Sequence, residues 1–264
     1  MGSASQEASL VIFEPAEGFS WIRFNRPEKR NAMNQAARDA LRDAMANAQA
    51  HAPVVLLTGS GGSFCGGIDL KEVQAQAKEG STQALEDWRD VNLQIRAHPA
   101  VFVAVVNGVA LGGGTTLTGI CDLAIAGETA SFGMPEIGFG MYANPAGPAT
   151  QLAQLSRKRA AWLLLTANRI DARTALAWGL INDVSPDAAL EGDAASLGTH
   201  LAQFDGRVLT ECKRALDAIP QTDWRGAFEY GAGANARIND NTEAALEGLT
   251  RFSRGERNPG QGVR

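Results

Sequence analysis

The 264-residue chain has only three cysteines, three histidines and two tyrosines. Cys65, Cys121 and Cys212 are odd in number, far apart and in no C-x-x-C pair, which argues against a disulfide framework or a cysteine zinc site and leaves reduced thiols. His51, His98 and His200 are as scattered, and without a G-x-S-x-G elbow a serine-hydrolase triad has no support. No G-x-x-x-x-G-K-[ST] phosphate loop occurs, and the glycine loop starting at Gly59 fails the dinucleotide fingerprint because Phe64 stands where its third glycine belongs. No metal or redox cofactor is expected. The longest strongly apolar stretch, residues 101–106, is far short of the ~20 residues of a membrane helix. Residues 1–10 lack the basic start and apolar centre of a signal peptide, and Gln6 stands where a myristoylation signal needs Ser or Thr. A soluble, cytoplasmic protein is expected. With 24 Lys and Arg against 29 Asp and Glu, a net charge of -5 and no long run of one sign, nucleic acid is not the expected partner.

Glycine, by contrast, is abundant: 29 residues, well above the usual share of ~7%. Residues 10–13 and 19–24 read as a hairpin around a turn at 15–18. From Asn34, an N-cap, Ala37, Leu41, Ala44, Met45 and Ala48 recur at helical spacing, and Pro53 opens a buried strand at 54–57. A glycine-rich loop at 59–67 leads into helical segments at 69–77 and 83–97, the second with Leu85, Trp88 and Ile95 on one face. The design then repeats: a strand at 101–106, a glycine cluster at 112–114 opening a short helix, and extended pieces at 122–126 and 130–132. Helical patterns follow at 157–167, 171–179 and 188–202, and only helical periodicity remains beyond Gly206. The chain thus divides into an α/β core, 1–205, and a helical region, 206–264, whose Leu209, Leu216, Trp224, Phe228, Leu246, Leu249 and Phe252 need a surface to cover.

Five stretches occur in a fixed order: Asn25-Arg-Pro-Glu-Lys-Arg-Asn-Ala-Met33, Ser63-Phe-Cys-Gly-Gly-Ile-Asp-Leu-Lys71, Val105-Val-Asn-Gly-Val-Ala-Leu-Gly-Gly-Gly114, Cys121-Asp122 and Phe132-Gly-Met-Pro-Glu-Ile-Gly138. Together they resemble the crotonase superfamily, the enoyl-CoA hydratase and isomerase family, as does Glu-Gly-Leu-Thr-Arg-Phe252 near the C-terminus. The resemblance implies a spiral of ββα units with a C-terminal helical trimerisation region, a homotrimer or hexamer, and an acyl-CoA thioester as substrate, with coenzyme A entering as part of it. Chemistry at the α carbon of a thioester builds negative charge on the carbonyl oxygen, which two backbone N–H groups stabilise if glycine lets the backbone come close. The loop 66–68 offers the amide of Ile68, and the loop 112–114 that of Gly113 at a helix N-terminus. The resemblance selects the same two amides. It also implies coenzyme A contacts at Lys29, Arg30, Gly67, Asp69, Lys71 and Phe252, although Asp69 equally suits a helix cap. Gly255 falls near the family's phosphate-contacting lysine, for which Arg254 or Arg257 would substitute.

The family's hydratases use two glutamates, and here Thr116 occupies the first position. Glu136 remains, among Phe132, Met134, Ile137 and Phe139, an apolar setting expected to raise its pKa. A single carboxylate suffices for the allylic shift of an enoyl-CoA isomerase. Thr115 and Thr116, the Ser131-Phe-Gly-Met-Pro-Glu-Ile stretch and Arg257-Asn-Pro-Gly260 also resemble hydroxycinnamoyl-CoA hydratase-lyases, which implies a role for Tyr230 reaching a neighbouring subunit's site. Asn144 stands where some dienoyl isomerases and dehalogenases of the superfamily carry Asp, which weighs against those chemistries. A non-catalytic acyl-CoA-binding member is the remaining alternative. Met33, Trp88, Met141 and Tyr142 are candidates for shaping the acyl pocket.

Overall fold

Two strands at the start of the chain, β1 (Val11–Pro15) and β2 (Ser20–Phe24), pair antiparallel as the expected hairpin. The structure, a computed structural model, describes residues 9–143, 155–239 and 243–255. β2 continues into parallel pairing with β3 (Val54–Gly59), then β5 (Val101–Val106), β7 (Leu123–Gly127) and β10 (Asp183–Ser185). Every residue of β3 and β5 is buried, as unbroken apolar runs require when helices cover both faces of a parallel sheet. On one face lies α1 (Gln35–His51), capped by the Asn34 side chain accepting from Ala37 N–H, with the expected Ala37, Leu41, Ala44, Met45 and Ala48 turned inward. On the other, α7 (Leu190–Leu201) sets Leu190 and Ala194 against Phe19, Val54, Leu56, Val103, Val105 and Ile125.

A second, smaller sheet runs β4 (Ser63–Cys65), β6 (Val109–Leu111), β8 (Ser131–Gly133) and β9 (Ile170–Asp171). Each turn of the chain places a strand in the large sheet and the next in the small one: β3 then β4, β5 then β6, β7 then β8. The first two turns close with helices, α2 (Leu70–Lys78) and α3 (Gln83–Ala97) after β4, and α4 (Gly113–Ile120) after β6. This is the spiral of ββα units that the sequence resemblance implies. The corner between β3 and β4 is held by buried Asn31, whose Nδ2 donates to Ser63 O at 2.7 Å, and by Asn107, whose Nδ2 donates to Gly59 O at 2.6 Å. The second strand of the first two pairs is where sequence reading fell short, β4 lying inside what reads as a glycine loop, whereas the extended piece expected at 130–132 is β8.

Beyond β8 come α5 (Arg157–Thr166), α6 (Ala172–Trp178), α8 (Gly206–Ala218), α9 (Trp224–Asn239) and α10 (Glu243–Ser253). α8 is fastened to the α/β core: Thr210 Oγ1 donates to Pro99 O at 2.9 Å, and buried Lys213 reaches Ala100 O at 2.8 Å and Asp122 at 2.9 Å. α9 and α10 expose Trp224, Phe228, Leu246, Leu249 and Phe252. Among the described residues no helix is long and apolar enough to cross a membrane.

Candidate active site

Two glycine loops meet at the mouth of the spiral. Met33 N–H donates to Gly67 O at 2.8 Å and Asp69 N–H to Met33 O at 3.1 Å. This short parallel bridge grips both sides of Ile68, whose own N–H has no described acceptor. Gly67 has φ 88°, and a Cβ there would lie 2.9 Å from Gly113 N and from Leu111 O, so the two loops can touch only through glycine. Gly113 opens α4, where a helix leaves its first N–H groups unpaired and its positive end exposed. The second loop is locked from behind: Gly112 N–H donates to Gly133 O at 2.8 Å, and the Thr115 hydroxyl lies within 2.9–3.1 Å of Ala110 O, Gly133 O and Gly133 N. Thr115 therefore ties α4 to the small sheet.

Glu136 sits on a single 3-10 turn (Pro135–Phe139) directly after β8, started by Pro135, whose ring fixes the turn's φ. Its carboxylate lies against Gly112: a Cβ at residue 112 would stand 2.6 Å from Oε1. Oε2 is buried with no hydrogen-bond partner among the described residues. Burial pushes the Glu136 carboxyl above the ordinary glutamate range, since the charged form loses water without gaining a countercharge. The direction matches expectation, but the surroundings are only half those read from the sequence. Phe132 and Met134 are buried, whereas Ile137 and Phe139 are 48% and 61% exposed. Phe139, three residues along the 3-10 turn from Glu136, shares its face and lines the same cavity despite its exposure, whereas Ile137 points away from it.

Ile68, Gly113, Glu136 and Thr116 line one cavity, with Gly67, Leu70, Leu85, Trp88, Met134, Met141 and Tyr142 around them. The space in it open to water is about 60 Å3. Thr116 is buried, and among the described residues its hydroxyl has only a long 3.4 Å contact back to Gly112 O. Trp88, a sequence candidate for shaping the acyl pocket, and Leu85, legible in sequence merely as part of the same helix face, form a wall. Met33 serves through its backbone and is buried behind the loop.

Other candidates fall elsewhere. Lys29 and Arg30 are exposed on the turn behind Gly66, whose N–H donates to Arg30 O at 2.7 Å. Asp69 caps α2 by accepting from Lys71 N–H at 3.1 Å and pairs with Arg26 at 3.3 Å. Lys71 is exposed beside an adjoining cleft. Tyr230 lies on α9 with the Arg237 guanidinium 5.5 Å above its ring, and Phe252 is 72% exposed on α10; neither lines the cavity of its own chain. Asn144 and residues 257–260 lie outside the described residues.

The sequence profile described as enoyl-CoA hydratase/isomerase matches residues 14–257. A probable enoyl-CoA hydratase of Rhodobacter capsulatus is 32% identical over 243 residues, covering 90% of this chain and 95% of that protein. The 2,3-dehydroadipyl-CoA hydratase of Escherichia coli is 31% identical over 198 residues, covering 74% of this chain and 76% of that one. Among solved structures, the enoyl-CoA hydratase of Bacillus anthracis superposes with a TM-score of 0.89 at 29% identity over 95% of this chain and 98% of that one. With the ββα spiral and the paired glycine loops on which the sequence resemblance rests, these similarities establish that the chain belongs to the enoyl-CoA hydratase/isomerase family of the crotonase superfamily.

Proposed function

We propose that the protein shifts the double bond of an enoyl-CoA thioester, with Glu136 as its acid–base group. The observation that carries this reading is the desolvated carboxylate of Glu136 against Gly112, its Oε2 without a hydrogen-bond partner among the described residues, one residue before an unclaimed oxyanion amide. In a 3-enoyl thioester, Glu136 takes a proton from C2. The electron pair moves through the thioester carbonyl, and the resulting oxyanion is held by the N–H groups of Ile68 and Gly113. Collapse of the dienolate returns the proton from Glu136 to C4, giving the conjugated 2-enoyl product. No water enters, so the second carboxylate of a two-glutamate hydratase is not needed. A raised pKa suits the role, because one group must both remove and deliver the proton near neutral pH.

Hydration is the second reading, favoured by the Thr116 hydroxyl, which lines the same cavity and has only one long contact. There Glu136 would deprotonate a water held by Thr116 for attack at C3 of a 2-enoyl thioester, and then return that proton to C2 of the resulting enolate to give the 3-hydroxyacyl product. Coenzyme A is part of the substrate in both cases, and no separate cofactor is invoked. Lys29, Arg30 and Lys71 are the cations proposed to meet its phosphates. The exposed apolar faces of α9 and α10 suit a homotrimer or hexamer, in which Tyr230 and Phe252 could serve a neighbour's site. Incubation with trans-3-enoyl, trans-2-enoyl and feruloyl thioesters tests the assignment. Conjugation of the 3-enoyl substrate is expected; chain cleavage of the feruloyl thioester, or no reaction with any of the three, would overturn it.

A further inference from the structure

Arg38, on the inner face of α1, is fully buried, yet none of the chemistry above uses it. Its guanidinium reaches three separate walls of the cavity. Nη1 donates to Met33 O at 3.1 Å, the carbonyl that also holds the Ile68 loop through Asp69 N–H. Nη1 and Nη2 grip both carboxylate oxygens of Glu72 on α2, at 3.1 and 2.9 Å. Nε bonds Asp87 on α3, which Arg42 holds from its other oxygen. A planar, permanently charged fork suits this three-way tie, and a lysine could not reproduce its geometry.

Fixing Asp87 fixes the next residue of α3, Trp88. Its indole covers Gly113 so tightly that a Cβ there would meet Cζ2 and Nε1 at 2.9 Å. Trp88 is 3% exposed, and the space open to water in the cavity it lines with Glu136 is only about 60 Å3. Beyond it the cavity adjoins a larger apolar cleft of about 550 Å3 between α2 and α3, which shares Leu70, Leu85, Phe139 and Met141 with it and adds Val73 and Ala77.

We propose that Trp88, held against Gly113 by the Arg38 ion-pair hub, is the specificity-determining residue of the acyl site: it bars branched and aromatic acyl groups and directs a straight chain into the cleft between α2 and α3. Trp88 acts by contact, and Arg38 is a positioning residue. The assignment rests on the reading that the cavity takes acyl thioesters.

The test is calorimetric titration of the wild type, Trp88→Ala, Arg38→Met and Arg38→Lys with saturated octanoyl-CoA and benzoyl-CoA, which separates binding from turnover. The wild type is expected to prefer octanoyl-CoA by about 10-fold or more, the discrimination that pocket shape commonly supplies. Trp88→Ala should erase that preference, strengthening benzoyl-CoA relative to octanoyl-CoA by about 10-fold. Arg38→Met should move the preference the same way, and Arg38→Lys should restore part of it. A preference unchanged in Trp88→Ala overturns the role of Trp88, and one unchanged in a folded Arg38→Met overturns that of Arg38. Should Arg38→Met not fold, Asp87→Asn takes its place on the same criterion. If the wild type binds no CoA thioester, the acyl-CoA reading itself falls and the inference with it, an outcome distinct from either loss of preference.

Discussion

The Glu136 carboxylate rests on the backbone of Gly112, with no room between them for a methyl group: a Cβ at residue 112 would stand 2.6 Å from Oε1. Gly112 also has φ 52°, a region that side chains disfavour. Gly112→Ala is therefore expected to push the carboxylate off its seat. Misplacing a reacting group by ~1 Å costs on the order of 100-fold, so steady-state turnover should fall about that far. Acyl-CoA affinity measured by titration should change much less.

Removing the charge should stabilise the fold. Because burial raises the Glu136 pKa in the folded chain, the native state binds more protons than the unfolded state between the ordinary glutamate value and the raised one. Stability contributed by the protonated carboxyl is thus present at low pH and lost as pH rises through that window. Glu136→Gln should melt at a higher temperature than wild type at pH 7, by about 2 °C for each kcal/mol relieved. The two should converge at pH 4, a comparison made by scanning calorimetry.

The same shift sets the pH dependence of the reaction. In the proposed reaction Glu136 has to be ionised to accept the C2 proton, so kcat/KM should rise with pH along an acidic limb whose midpoint lies above the ~4.3 of an ordinary glutamate. A limb centred at the ordinary value would show that the accepting group is not this buried carboxylate.

Thr116 separates the two chemistries. Thr116→Val removes a hydroxyl whose one bond in the fold is a 3.4 Å contact, so double-bond isomerisation should stay within about 3-fold of wild type, less than ~1 kcal/mol. Hydration, if present, should be lost. Thr116→Glu restores a second carboxylate beside Glu136, and added hydration of a 2-enoyl thioester is the expected gain, read as the loss of enoyl absorbance.

Stability of the C-terminal helices should depend on one buried ion pair. Lys213 and Asp122 are only 5% and 7% exposed at the side chain and 2.9 Å apart, and Asp122 also accepts from Phe102 N–H at 2.8 Å. Lys213→Met leaves that carboxylate buried and uncompensated, a loss expected at about 3–5 kcal/mol in urea unfolding. Adding Asp122→Asn in the same chain should recover much of it.

How far the sequence reaches depends on the length of each signal. The continuous apolar runs of β3 and β5, the α1 face from Ala37 to Ala48 and both glycine loops were legible, because each repeats one physical demand over several residues. β4, β6 and β9 were not, since strands of two or three residues show no period. Within the cavity, the residue types of Glu136, Ile68, Gly113 and Thr116 follow from local motifs. The seat of Glu136 on Gly112 and the tie from Arg38 to Glu72 and Asp87 do not, because they join positions remote in the chain. Asp69 was legible in two ways, as a ligand contact from the family motif and as a helix cap from the local sequence, and its side chain caps α2 and pairs with Arg26.

The most direct measurement is the turnover of Glu136→Gln on a trans-3-enoyl-CoA, with binding of the saturated thioester followed in parallel. The amide keeps the shape of the cavity but cannot carry a proton between C2 and C4. Turnover should fall by about 100- to 10,000-fold with acyl-CoA affinity within about 3-fold of wild type, under 1 kcal/mol. A Glu136→Gln protein that isomerises the substrate at the wild-type rate would contradict the assignment, because the proton would then travel through another group.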